Sequence, residues 1–402
     1  MGALERYGLV LRAPHVARLW AVTTIARLPI GINSLAMVLA VRAETGSFAA
    51  AGAAAGAHAL TVGLSSPLQG RLVDRVSPRR AVPPLIAFHA VMMLLFVALL
   101  PTASVGILIA VAALAGLGQP PWSSLLRAMW PRLLGDEALI TTAFALDSTI
   151  VELVFVLGPL FVAAAVAVAA PEAALLASVV FVVVGTALLL SSPAVRAWES
   201  EVPQARGPFG ALASRGLLTV VLATVPVGVA FGAFEISLPA FAEEHGNASD
   251  AGILIAVWAI GSGIGGLAYG GVNWSRPLRQ RWLMLSGLLG LSLLPALLAP
   301  STGVLIALLL LAGAFIAPAI ASGSQLMGTL APPGMTTEAY AWGPTALVVG
   351  VAGGSAAGGA LAESYGWRAP IVLAAAMALG GAGIAVMRRA TLRQAWGSVA
   401  GE

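Results

Sequence analysis

The chain has 402 residues, of which 59% are hydrophobic and 9% charged, whereas an average soluble domain is roughly 25% charged. That contrast excludes a soluble enzyme, because membrane spans of about 20 apolar residues fill the chain and leave only short loops. The net charge of +4 comes from 21 arginines set against 17 acidic residues, and with the arginines scattered between apolar runs a nucleic-acid partner is not expected.

In chain order, the first 13 residues carry Glu5, Arg6 and Arg12 without an apolar core, so no cleavable signal peptide is expected. Twelve apolar spans follow, read at 17–41, 49–69, 81–100, 104–130, 139–168, 173–194, 216–242, 251–273, 282–299, 303–327, 339–361 and 370–387. Gly118-Gln119-Pro120-Pro121 must interrupt the fourth, since consecutive prolines remove backbone donors and bend a helix. With the N-terminus inside, 17 of the 21 arginines fall in inner segments, Arg42 and Arg368 lie in outer loops, and Arg27 and Arg127 remain within spans. By the positive-inside rule both termini face the cytoplasm. With no cysteine in the chain, disulfides, thiolate metal sites and cysteine nucleophiles are excluded.

The longest polar stretch, 196–215, sits midway and reads as a linker between six-helix bundles at 1–195 and 216–402. An internal repeat supports the halving. A shift of 200 aligns Gly46 with Gly246, Gly70 with Gly270 and Arg79 with Arg279. A shift of 197 sets LIAVAALAG at 108–116 over LIALLLLAG at 305–313 and Pro121 over Pro318; a shift of 196 sets Gly158 over Gly354.

The loop after the second span reads Gly70-Arg71-Leu72-Val73-Asp74-Arg75-Val76-Ser77-Pro78-Arg79-Arg80. It resembles the loop signature G-x-L-a-D-r-x-G-r-k of the major facilitator superfamily, with Gly70, Leu72, Asp74, Arg75 and Arg79 matching and Ser77 and Pro78 departing. The resemblance implies an all-α membrane protein of two pseudo-symmetric six-helix bundles. It also implies that Asp74 faces the N-terminal end of span eleven, near Glu338, as a cytoplasmic latch. Glu338 itself is expected to cap that helix or meet Arg75. In span five, Gly158-Pro159 resembles the core of the antiporter signature of drug:proton exporters, although Val154, Val162 and Ala163 stand where glycines belong. Gly350, Gly354 and Gly358 form the matching series in span eleven. Such small residues would let spans five and eight, or eleven and two, approach and bend.

Charges inside spans are costly and mark function. Arg27, Asp147, Glu152 and Glu235 lie roughly 15, 12, 20 and 28 Å from the inner edge at about 1.5 Å per residue. Asp147 and Glu152 point some 140° apart on one helix, which suggests different jobs. The hairpin of spans four and five brings Arg127 within a turn of Asp147, so an Arg127–Asp147 pair is expected near the gate. Glu152 is left as the deeper acid, opposed by Arg27 and suited to exchanging protons, with Asp147 and Glu235 as the other proton-coupling candidates. His58 and His89 read as packing residues.

The resemblance implies a substrate cavity lined by spans one, four, seven and ten, with candidates Arg27, Asn33, Gln119, Trp122, Phe231, Phe234, Ser322 and Gln325. This inventory suits an amphipathic solute better than a sugar. The expected function is proton-coupled export of such a compound by alternating access, as a monomer in the bacterial cytoplasmic membrane. It would use a proton gradient, with no cofactor or metal; no G-x-x-x-x-G-K-[ST] motif occurs and there is no lysine to complete one. Three other readings stay open: a proton symporter importing a sugar or other solute, a uniporter or lipid-handling member, and a non-transporting receptor or scaffold.

Overall fold

A computed structural model describes residues 3–198, 209–245 and 250–393. Gly246, Arg206 and half of the 196–215 linker, residues 199–208, lie outside the described residues. A short helix α1 (Ala3–Arg12) precedes α2 (Val16–Thr45), α3 (Phe48–Val76), α4 (Pro78–Leu99), α5 (Val105–Gly118), α6 (Trp122–Leu133), α7 (Glu137–Val168), α8 (Pro171–Leu190) and α9 (Pro193–Arg196). After the linker come α10 (Arg215–Glu244), α11 (Asp250–Gly271), α12 (Leu278–Leu293), α13 (Thr302–Gly313), α14 (Ile316–Leu330), α15 (Thr336–Tyr365) and α16 (Arg368–Met387).

Among the described residues, 11 helices or end-to-end helix pairs are long and apolar enough to cross a membrane. The expectation of twelve is therefore met at 11 positions. The remaining candidate, α3, has 29 residues rich in alanine and glycine, and at about 1.5 Å per residue it too is long enough to span about 30 Å.

Helix ends follow local chemistry. Asp136 accepts hydrogen bonds from the Ala138 and Leu139 amides at 2.8 and 3.0 Å, and Ser214 accepts from Leu217, each satisfying orphan donors of a first turn. Proline stands in the first turn of α4, α8 and α9, where its missing N–H costs nothing.

The expected interruption of span four is present: α5 stops at Gly118 and α6 starts at Trp122. A helix end leaves carbonyls without intrahelical donors, and side chains from neighbouring helices supply several. Thr61 donates to the Ala113 carbonyl at 2.8 Å, Gln69 to Leu117 at 2.6 Å, and His89 Nδ1 pairs with Ala115 at 2.8 Å. A second break, unforeseen, divides span ten between α13 and α14 at Ala314–Phe315. It contains no proline, but Pro318, the repeat partner of Pro121, sits in the first turn that follows.

Packing runs mainly within two groups. In the first, α2 packs on α7 and α8, and α5 on α3 and α4; in the second, α10 packs on α15 and α16, and α12 on α14 and α16. Close approach depends on glycine. A Cβ on Gly158 would sit 2.6 Å from Gly31 Cα, and one on Gly350 would sit 2.8 Å from Gly228 Cα. Gly354 and Gly358 likewise face Val229 and Ala233. These glycines therefore join span five to span one and span eleven to span seven, not five to eight or eleven to two. They occupy the helix faces turned into their own group. Pro159 beside them is half-buried within α7.

One buried apolar cluster, holding Val73, Trp122, Phe144, Tyr269, Ile316 and Tyr340, draws on both groups at the arginine-rich end of the bundle. Toward the opposite end the core divides into two clusters. One belongs wholly to the first group, around Ile32, Phe96 and Leu108, and the other wholly to the second, around Phe234, Leu293 and Trp367. The groups thus share one apolar cluster at the arginine-rich end and keep separate ones toward the other.

Candidate functional site

The buried centre is a three-residue charge cluster. Asp147 in α7 is fully buried; Arg27 Nη1 donates to its Oδ1 at 2.6 Å and Arg127 Nε to its Oδ2 at 2.8 Å. The Arg127 pairing is the one expected from the hairpin of spans four and five. The Arg27 pairing replaces the expected Arg27–Glu152 opposition. The 140° between the two acids explains this: Asp147 faces α2 inside its own group, while Glu152 faces away. Two guanidinium groups on one carboxylate leave a formal excess of one positive charge. Arg27 is 1% exposed, and its Nε and Nη2 have no partner among the described residues; buried donors of this kind are rare and need explanation.

Glu152 lies across the seam from α11, where the Ser262 hydroxyl donates to its Oε1 at 3.0 Å. Among the described residues it forms no salt bridge. Ser262 escaped the sequence reading because a lone serine in an apolar helix carries no signal. Glu235 is exposed on α10.

Of the cavity candidates, Arg27, Asn33, Gln119, Trp122, Phe234, Ser322 and Gln325 are all buried, and Phe231 is half-buried. Of these, Gln325 lines a cavity between the groups, together with Phe144 and Tyr340. Phe231 and Phe234 pack on Trp258, with ring centroids 5.7 and 5.0 Å away; Trp258 was not among the candidates. Ser322 bonds to carbonyls of its own helix. Among the described residues, both side-chain polar atoms of Asn33 lack partners. Gln325 belongs with the seam, accepting from Thr141 at 3.1 Å.

The arginine-rich end is closed by polar contacts between the groups. Asp74 accepts from the Thr337 and Glu338 amides at 3.1 and 2.9 Å, the carboxylate-to-helix-N-terminus contact anticipated for this loop. Gly70 makes room, since a Cβ there would lie 2.8 Å from Glu338 Cα. Asp74 lies past the 49–69 span, and burial pushes its carboxyl up to about 7 against the lowering hydrogen bonds from Thr337 and Glu338.

Glu338 meets Arg71 rather than Arg75. Arg71 Nε and Nη2 donate to its two oxygens at 2.9 and 2.8 Å, and the Ala211 amide adds a third bond at 3.0 Å. Arg75 and Arg79 are exposed and face a recess elsewhere. On the other side of the seam, Thr142 donates to Gly270 at 2.8 Å and Arg281 to Glu137 at 3.1 Å. Helix α1 closes the same edge: Arg6 donates to the Val272 carbonyl at 2.7 Å and Tyr7 to Leu267 at 2.6 Å.

No curated protein matches the chain in sequence. Its fold is similar to a bacterial homologue of the iron transporter ferroportin in an outward-facing state, with TM-score 0.76, 14% identity, and 93% of this chain and 99% of that one covered. It is also similar to the human organic anion transporter MFSD10, with TM-score 0.72, 15% identity and 91% and 99% covered. For the E. coli fucose:proton symporter the values are 0.69, 14%, 93% and 99%. A family model described as Major Facilitator Superfamily matches residues 19–273 and 220–398, and with the transporter fold and the Gly70–Arg80 loop this places the chain in the major facilitator superfamily.

Proposed function

We propose that the chain is a twelve-span proton-coupled exporter of small amphipathic compounds, in which bundles 1–195 and 216–402 rock about a central site. In this reading the arginine-rich end is cytoplasmic, and the conformation described is closed there. The observation that carries the reading is the placing of Glu152: an acid within the bilayer, on the seam between the groups, held among the described residues by the neutral Ser262 hydroxyl. Such a carboxyl can take up or release a proton without breaking an ion pair, and its one bond crosses the seam that must open. Asp147 is unsuited to that task, because both its oxygens are engaged by guanidinium donors; its part is to hold Arg27 in place. The unpartnered Arg27 N–H groups suit an oxygen of the substrate, anionic or carbonyl.

The test is transport in liposomes. A proton exchanger accumulates an amphipathic dye in the liposome lumen only when the lumen is the more acidic side, so that protons leave as dye enters, and Glu152→Gln should abolish that dependence while dye binding persists. Unchanged pH dependence in Glu152→Gln refutes the assignment, and uptake driven with the proton gradient would make the protein a symporter.

A further inference from the structure

Away from the seam, two histidines meet inside the first group. His58 of α3 and His89, midway along α4, are 5% and 0% exposed, and their ring centroids lie 6.2 Å apart. His89 Nδ1 pairs with the Ala115 carbonyl at 2.8 Å. A carbonyl only accepts, so Nδ1 carries the ring proton and Nε2 of the neutral imidazole is left as a bare lone pair. That Nε2 is buried with no partner among the described residues, and so is the Nε2 of His58. An imidazole whose N–H is held by a backbone carbonyl while its other nitrogen stands free has the orientation of a metal ligand.

The surroundings select the kind of ion. Residues 49–70 of α3, 81–99 of α4, 105–118 of α5 and 173–190 of α8 contain no charged residue, so the oxygen-rich shell that calcium or magnesium requires is absent from these segments. Met93, fully buried on the same face of α4, places a thioether one turn beyond His89, and imidazole with thioether is donor chemistry for copper(I). The spacing favours two ligands in line. With about 1.1 Å from ring centre to nitrogen and about 2.0 Å from nitrogen to metal, two centroids stand about 6.2 Å apart across a straight N–metal–N line and about 5 Å apart at a tetrahedral angle. A positive charge at this point is met by the C-terminal end of α5, whose last-turn carbonyls include Ala115.

We propose that His58 and His89 form a two-coordinate site for a soft univalent cation, copper(I) or its analogue silver(I). The ion ties α3 to α4 beside the break in span four, and so braces the helix whose Gly70 and Asp74 meet α15 at the closed end. Because both ligands belong to one group and lie off the seam, the site is resident and not a station for cargo. It stands whatever the transported compound and whichever acid carries the proton.

The test uses the full chain, purified metal-free in neutral detergent and chloride-free buffer. It receives silver(I), or copper(I) supplied from a coloured bicinchoninate complex under a reductant. One copper(I) per chain should leave the chelator, and one equivalent of silver(I) should raise the thermal unfolding midpoint. His58→Gln and His89→Gln should each weaken the affinity about a hundredfold, whereas His15→Gln, outside the pair, should keep it. X-ray absorption at the copper edge reads the same site on the unsubstituted chain, so the answer does not hang on a variant that folds poorly. Two nitrogen neighbours are expected there, and sulfur or oxygen neighbours alone overturn the proposal. Copper(I) left wholly with the chelator, affinity undiminished in both histidine variants, or an equal midpoint shift with zinc(II) overturns it too.

Discussion

Asp147→Asn should destabilise the protein much more than removal of either arginine that holds it. In the native cluster one carboxylate serves two guanidinium groups at 2.6 and 2.8 Å, all three side chains being buried. Asparagine keeps the shape but removes the only negative charge, leaving two buried cations and an amide N–H₂ facing a donor. Breaking a buried pair in this way costs about 3–5 kcal/mol, a fall in unfolding midpoint of about 4–6 °C for a chain of this size. Arg127→Gln instead leaves a neutral Arg27–Asp147 pair and one weakened acceptor, a loss of about 1–3 kcal/mol. Thermal unfolding of the purified variants, followed by intrinsic tryptophan fluorescence, reads both. Equal falls for Asp147→Asn and Arg127→Gln would refute the charge-counting argument, as would an Asp147→Asn midpoint within a degree of wild type.

Two other outcomes follow from geometry. Gly354→Ala places a methyl group against the Val229 backbone and should lower the unfolding midpoint, whereas Gly359→Ala meets nothing within 4 Å and should raise stability by about 0.5–1 kcal/mol through helix propensity; the reverse order would mean α15 does not pack on α10 as described. Asp74 titrates at about 7 when buried in the closed gate and near 3.9 when the gate opens to water. The closed form thus binds the proton more tightly, and its share should rise as pH falls from about 7 to about 4. Cysteine accessibility at the arginine-rich end, in a chain with no native cysteine, measures that share, and Asp74→Asn should flatten its pH profile.

Much of the architecture was legible in the sequence because the bilayer imposes length and apolarity on each span, and because Pro120-Pro121 after Gly118 marked the break in span four, although Pro83-Pro84 leave α4 unbroken. The break in span ten was hidden, since Ala314 and Phe315 bear no mark; only the repeat alignment of Pro318 with Pro121 pointed to it. At the charge cluster, loop length placed Arg127 beside Asp147. Arg27 was matched to the wrong acid because depth along a helix is easy to count, whereas the face a side chain takes depends on which neighbour packs there. The glycine series was misassigned for the same reason: spacing says that something approaches closely, not what. Arg71 and Ser262, adjacent in sequence to nothing they bind, emerge only from the folded chain.

Helix α1 carries a practical lesson. His15, with φ 68°, turns the chain so that α1 lies back over α7 and α11, and Arg6 and Tyr7 grip the far group from the first. Because α1 is tethered to α2 by only three residues, Ala13 to His15, parting the groups at this end must strip it from α11. Any fluorescent protein or purification handle joined ahead of Ala3 would sit over that moving edge. Where turnover is to be measured, such a handle belongs after Arg393, or should be compared with a tag-free preparation.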